Sequence, residues 1–227
     1  AIATPYLIVI VAMGYTRQSV ALAFVLIAFS IWHQKSFLKV FVLISIGATF
    51  HKSAWLLLPI SLMVNNQFLA VKGLIILPLS FFGAVFFLFD ANIEAKIYAY
   101  LNNSYHDSDG ALIRVLMNLI PALMFLLFYK QFSRFEDRKL WLIISLACLS
   151  CLITVIPMST LTDRFALYLL PIQIIVFSRF PLLINQLYWK TTFVVFVLSY
   201  YFAVMVVWLF YANNAIFWVP YRAVFGL

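Results

Sequence analysis

Arg17, His51, Arg114 and Arg164 each stand in a short polar interruption of an otherwise oily chain. The surrounding stretches read GYTRQSVALAF, ATFHKSAWLLLPI, GALIRVLMNLIPALMF and STLTDRFALYLLPIQ. Guanidinium groups hold phosphates through paired, charge-assisted hydrogen bonds. A helix start adds its unpaired N–H groups to that attraction. Gly14 permits a break and Arg17 with Gln18 opens the next helix, so this pair suits a phosphate. A snorkelling arginine at a membrane boundary would leave the same pattern.

His51 suits a general base or a donor to an oxyanion; the alternative is a satisfied polar residue between helices. Lys52 puts a cation beside it, and Ser53 reads as the N-cap of the following helix. Asn118 stands at i+4 from Arg114, and Tyr168 at i+4 from Arg164, so each pair shares a helix face. An arginine with a tyrosine suits phosphate or sugar. Asp163 is a second candidate base, or one half of a surface pair with Arg164. Thr162 or Asp163 is placed to cap the helix that follows.

Other chemistries find less support. The sequence has no phosphate loop, no HExxH, no serine elbow and no pair of carboxylates on one helix. With Asp and Glu totalling 7, the oxygen ligands that a divalent metal wants are sparse. No metal or other cofactor is expected. Cys148 and Cys151 form C-x-x-C, but in mid-helix with no histidine or charge nearby, which reads as two small packing residues.

The elements that must position these residues lie in a bilayer. Of the 227 residues 66% are hydrophobic and 10% charged, and the mean hydropathy is +1.07. Soluble domains are roughly half apolar and a quarter charged. The fold class expected is therefore all-α, a polytopic integral membrane protein. The net charge of +8 comes from 15 Lys and Arg scattered singly between apolar runs. That pattern fits orientation in a membrane and contact with anionic lipid, and it gives no basic stripe for nucleic acid.

Apolar segments fall near Ile2–Met13, Ser19–Trp32, Phe37–Phe50, Ala54–Val64, Val71–Phe89, Ala111–Tyr129, Leu140–Pro157, Phe165–Phe177 and Thr191–Ala212. They amount to about nine membrane helices or half-helices, several shorter than a full span of roughly 17–25 residues. They make one transmembrane domain over residues 1–227, with a polar loop at about 90–110. The first segment opens without an initiator Met or a basic leader, which predicts an N-terminally incomplete chain rather than a signal peptide. The NNS at Asn102 fits a glycosylation sequon, a short pattern.

Orientation follows from the basic residues in short loops. Lys130, Arg134, Arg138 and Lys139 put Tyr129–Lys139 in the cytoplasm; Lys35, Lys39, Arg179 and Lys190 agree. Threading from these anchors places Arg17, His51, Lys52, Asp163, Arg164 and Arg222 at the outer face, with Arg114 about one turn in. Ionisable residues in or beside spans are costly and are functional candidates by default. Several of them on one face suit a shared anionic ligand.

The order of these pieces resembles the EpsG-like branch of the Wzy-type polysaccharide polymerases. The matching stretches are GYTRQSVALAF, ATFHKSAWLLLPI, GALIRVLMNLIPALMFLLFYK, DRFALYLLPIQII and VPYRAVF, covering Gly14 to Phe225. Further N-terminal helices of the family find no counterpart. The resemblance implies a bacterial inner-membrane glycosyltransferase that joins oligosaccharide repeat units carried on undecaprenyl diphosphate, working on the outer face. It implies that Arg17, Arg114 and Arg164 stabilise the diphosphate leaving group and that His51 takes the acceptor proton. Gln18, Lys52, Asn118, Asp163, Tyr168 and Arg222 would bind substrate. A flippase and a chain-length regulator are the partner proteins it suggests. The rival readings are a flippase or transporter of the same lipid-linked glycan, and a membrane acyltransferase that esterifies surface sugars.

Overall fold

The computed structural model describes residues 2–12, 14–64, 110–156 and 159–211, with 74, 78 and 215 as isolated positions. The predicted Val71–Phe89 segment, nearly all of the 90–110 loop, Asn102 and Arg222 lie outside the described residues. Among the described residues the backbone is helical and contains no strand, as expected of an all-α chain. It divides into two compact units, one of residues 17–176 and the other of residues 1–16 with 177–227.

The larger unit opens with α1 (Thr16–Ser30) and α2 (Phe37–Phe50), joined through a short 3-10 turn at Trp32–Gln34. Lys35 ends that turn in the left-handed region, at φ 51°. The two helices approach closely because Gly47 lacks a side chain: a Cβ there would stand 3.0 Å from the Ala21 carbonyl oxygen. After His51 the chain runs as a 3-10 helix, Lys52–Leu57, into the short α3 (Leu58–Leu62). The next helices are α4 (Ala111–Leu127), α5 (Arg138–Thr154), α6 (Ser159–Leu169) and the first part of α7 (Pro171–Arg179).

α4 buries Val115, Asn118, Ala122 and Phe125 at helical spacing and packs against α5 and α6. Its other face shows Leu112, Ile113, Leu116, Ile120 and Leu123 outward. An apolar outer face of this size on a soluble protein would be a liability; facing lipid it is ordinary. Cys148 and Cys151 are unpaired thiols, both buried in α5, which agrees with a packing role.

Two boundaries differ from the sequence-based expectation. The stretch between the expected Leu140–Pro157 and Phe165–Phe177 segments is already helical from Ser159, so Asp163 lies inside α6 and does not cap it. Thr162 uses its hydroxyl to reach Thr154 Oγ1 at 3.0 Å. The segment read as continuous from Phe165 to Phe177 breaks between α6 and α7, with a bend of 42°. Pro171 is the cause. It has no N–H for the Leu167 carbonyl, and its ring would press on that same group. Leu170 takes over the carbonyl in a tighter turn, N to O 3.4 Å.

The smaller unit holds a π-helical run, Thr4–Ala12, and α8, Leu187–Tyr211. Tyr6 and Tyr201 are buried in it, and Phe177 rests its ring against Phe193 and Tyr201. Of the 25 residues in α8 only Val197 and Tyr201 are buried. At ~1.5 Å per residue it is longer than the ~30 Å hydrocarbon core. Among the described residues α8 is the one unbroken helix long and apolar enough to cross a membrane, and the bent α6–α7 pair passes the same test if taken together. α1, α2, α4 and Lys52–Leu62 are apolar but shorter.

Candidate functional site

α6 is where the sequence-predicted residues meet. It carries Asp163, Arg164 and Tyr168 itself, and side chains from three other parts of the larger unit bond to it.

Arg114 reaches α6 from the first turns of α4. Side chains on a helix lean toward its N-terminus, and Arg114 lies back over Gly110, with Nη1 3.2 Å from where a Cβ would stand. Its Nε donates to Asp163 Oδ1 and its Nη2 donates to Asp163 Oδ2 at 2.7 Å. The two side chains are 15% and 8% exposed, so a forked ion pair is formed largely out of water. One turn on, buried Asn118 donates from Nδ2 to the Ala166 carbonyl of α6 at 2.8 Å. It accepts at Oδ1 from Gln173 Nε2 at 2.6 Å. The shared face of Arg114 and Asn118 is thus the face that docks on α6.

Gln18 arrives from α1. It is buried, and its Nε2 donates to the Arg164 carbonyl at 2.7 Å. Its Oε1 is buried without a hydrogen-bond partner among the described residues. Arg17, beside it in the first turn of α1, is exposed. No carboxylate pairs with Arg17 or Arg164 among the described residues.

The third approach comes from the break between α2 and α3. His51 is half-buried in extended backbone, φ −146°, ψ 116°, which halts α2. Ser53 does not cap the next helix; it lies within the 3-10 run, fully buried, and its hydroxyl turns to α6. Ser53 Oγ lies 2.5 Å from His51 Nδ1 and donates to Tyr168 Oη at 3.3 Å. Tyr168 Oη is also 3.4 Å from His51 Nδ1. If the serine proton goes to Tyr168, the network assigns the histidine proton to Nδ1, leaving Nε2 as the basic nitrogen. Burial, and then the positive charge of Arg164, lower the His51 pKa from 6.5 to about 4. The ring is therefore neutral at neutral pH, which is the state a proton acceptor needs.

Of the ten predicted residues, Asp163, Arg164 and Tyr168 lie on α6 and Gln18, His51, Arg114 and Asn118 bond to it, whereas Arg17 and Lys52 share only the larger unit. The structure also assigns partners that types alone did not. Arg114 and Asp163 hold each other. Gln173 and Ser53 were not among the predicted binding residues. Each is a polar side chain embedded in an apolar run, and such a group must find a partner when buried; that was the available signal. Among the described residues no cluster of His, Cys, Asp or Glu would hold a metal ion.

Comparison with known protein families matches residues 2–223 to the EpsG family. No curated protein and no solved structure matches the chain.

Proposed function

Because the chain belongs to the EpsG family, a Wzy-like polysaccharide polymerase family, we propose that it is a multi-pass membrane glycosyltransferase. It lengthens a glycan by joining repeat units carried on undecaprenyl diphosphate, at the outer face of the bacterial inner membrane. Beside the family match, the observation that supports this reading is the convergence on α6. Asp163, Arg164 and Tyr168 of α6 are met there by Gln18, Arg114, Asn118 and the His51–Ser53 pair, which puts a proton acceptor, a cation and polar side chains in one place.

In this reading the acceptor sugar hydroxyl attacks the anomeric carbon of the donor. A new C–O bond forms, the C–O bond to the diphosphate breaks, and undecaprenyl diphosphate leaves with the electron pair. The hydroxyl proton passes to His51 Nε2. Negative charge grows on the leaving oxygen, so cations aimed there favour the transition state over the ground state. Arg17 and Arg164 take that role. Arg114 acts differently from the simplest expectation: with its charge matched by Asp163, it fixes α4 against α6 and holds Arg164 and Tyr168 in place. Buried Asn118 and Gln18 hold α4 and α1 on α6 and buried Tyr168 holds the His51–Ser53 turn, so these three brace the site from within, and Lys52 and Arg222 stay as substrate-binding candidates. A flippase and a chain-length regulator would be its working partners.

The test is a proteoliposome carrying the protein, with the lipid-linked repeat unit supplied on the outer side. Wild-type protein is expected to yield longer chains. Arg17→Ala and Arg164→Ala are expected to insert normally and to lose about 10²–10³ in elongation rate. Normal-length polymer from both variants would overturn the assignment. Transport without elongation would mean a flippase, and an esterified glycan of unchanged length would mean an acyltransferase.

A further inference from the structure

The far end of the larger unit holds a second, unassigned polar feature. The connection between α1 and α2, the end of α3 and the connection between α4 and α5 enclose a cavity of about 760 Å³. Its walls carry Lys35, Arg138, Lys139 and His33, against one carboxylate, Glu136. Buried Trp32 and half-buried Phe135, with Met63 and Val64, supply apolar surface in the same walls. Lys35 and Lys139 are exposed, whereas Arg138 is half-buried with its guanidinium 4.5 Å from the centre of the Tyr129 ring. The cavity lies at the opposite end of α2 from His51. Fourteen residues separate the two ends, or ~20 Å at 1.5 Å per residue. The α6 site and this cavity are therefore distinct.

We propose that this cavity binds a phosphate ester attached to an apolar tail, the head group of an anionic membrane phospholipid. Three cations facing one carboxylate make the walls positive, and that suits a phosphodiester. Aromatic and aliphatic surface beside the cations suits the glycerol and first methylenes of a lipid, and would be wasted on a bare ion. The positions fit as well: Lys35 and Arg138 stand within two residues of the first residues of α2 and α5, where basic pockets between membrane helices meet head groups. Lys35 also holds a left-handed backbone, which costs about 1 kcal/mol or more for a side chain with a Cβ. The chain accepts that conformation at the cavity's edge.

The experiment uses the purified protein in nanodiscs of phosphatidylcholine with a minor share of phosphatidylglycerol, reading retained lipid by native mass spectrometry. One variant removes two charges from the cavity, Lys35→Gln with Lys139→Gln. A control removes two from exposed positions nearby that do not line it, Lys39→Gln with Lys130→Gln. Wild type and control are expected to retain phosphatidylglycerol, and the cavity variant to retain it about 10-fold more weakly. Equal losses in both variants would show a diffuse surface attraction and overturn the proposal, as would no loss in either. A soluble arm adds glycerol phosphate. Failure to displace the lipid identifies a lipid head group as the ligand; displacement at millimolar concentration identifies a soluble phosphate ester instead.

Discussion

α2 ends in polar residues at both of its tips, and the two tips use charge in different ways. Beyond Phe50 the polar groups are buried or half-buried and bonded to one another: His51 to Ser53, Ser53 to Tyr168, and on the same α6 Arg114 to Asp163. Before Phe37, Lys35 is exposed at an open cavity that exposed Lys139 of α5 also lines. A buried polar group costs free energy unless it is satisfied, so the α6 cluster is fixed by geometry, and removing one member strands another. Exposed cations are satisfied by water, so the cavity is governed by how many charges it has. Substitutions at one tip should disturb the fold, and at the other only binding.

The largest effect that would test this contrast is at the ion pair. Asp163→Ala leaves Arg114 without its forked partner in a site that is mostly shut off from water. It should lower stability by about 3 kcal/mol, read as a fall in the thermal midpoint in nanodiscs. The double variant Arg114→Leu with Asp163→Leu should recover at least half of that loss, because no charge is stranded. Unchanged stability in Asp163→Ala would break the comparison.

Asn118→Ala comes next. It deprives the Ala166 carbonyl and Gln173 Nε2 of a partner together, at a cost of about 1–3 kcal/mol. Gln173→Leu made alongside it should cost less than the sum, since the two belong to one network. Strict additivity would show that the network is not a unit.

The effect that is smallest at neutral pH is that of His51, which shows itself only as the medium is acidified. His51 has a folded pKa of about 4 against 6.5 unfolded. Below 6.5 the unfolded chain binds the proton and the folded chain does not, so stability falls as pH drops from 6.5 toward 4 and is constant above. His51→Gln should flatten this slope in a denaturation series. The same slope in the variant would remove His51 from the buried tip altogether.

Much of this architecture was legible in the sequence. Phe37–Phe50 was bounded correctly because charged and polar residues stop the apolar run on both sides. The faces shared by Arg114 with Asn118 and by Arg164 with Tyr168 followed from helical spacing alone. The pairing of Arg114 with Asp163 did not, because it joins positions 49 apart in the chain, and spacing on one helix says nothing about its neighbour. Pro171 was visible, yet the apolar run on both sides of it masked the break. Ser53 illustrates the same limit. A serine near a helix start reads as a cap, and only the packing of α6 against that turn offers its hydroxyl a different partner.

The close contact at Gly47 carries a further implication. Gly47 is one turn short of His51, and Ala21, which its missing side chain admits, is one turn beyond Gln18. The two backbones thus meet at a close contact, and two members of the site stand one turn away from it. A methyl group at position 47 would touch neither a base nor a sugar, yet it would press on Ala21 and ask the helices that carry Gln18 and His51 to give by a few tenths of an ångström, and a catalyst can slow from lost alignment with every reactive atom intact.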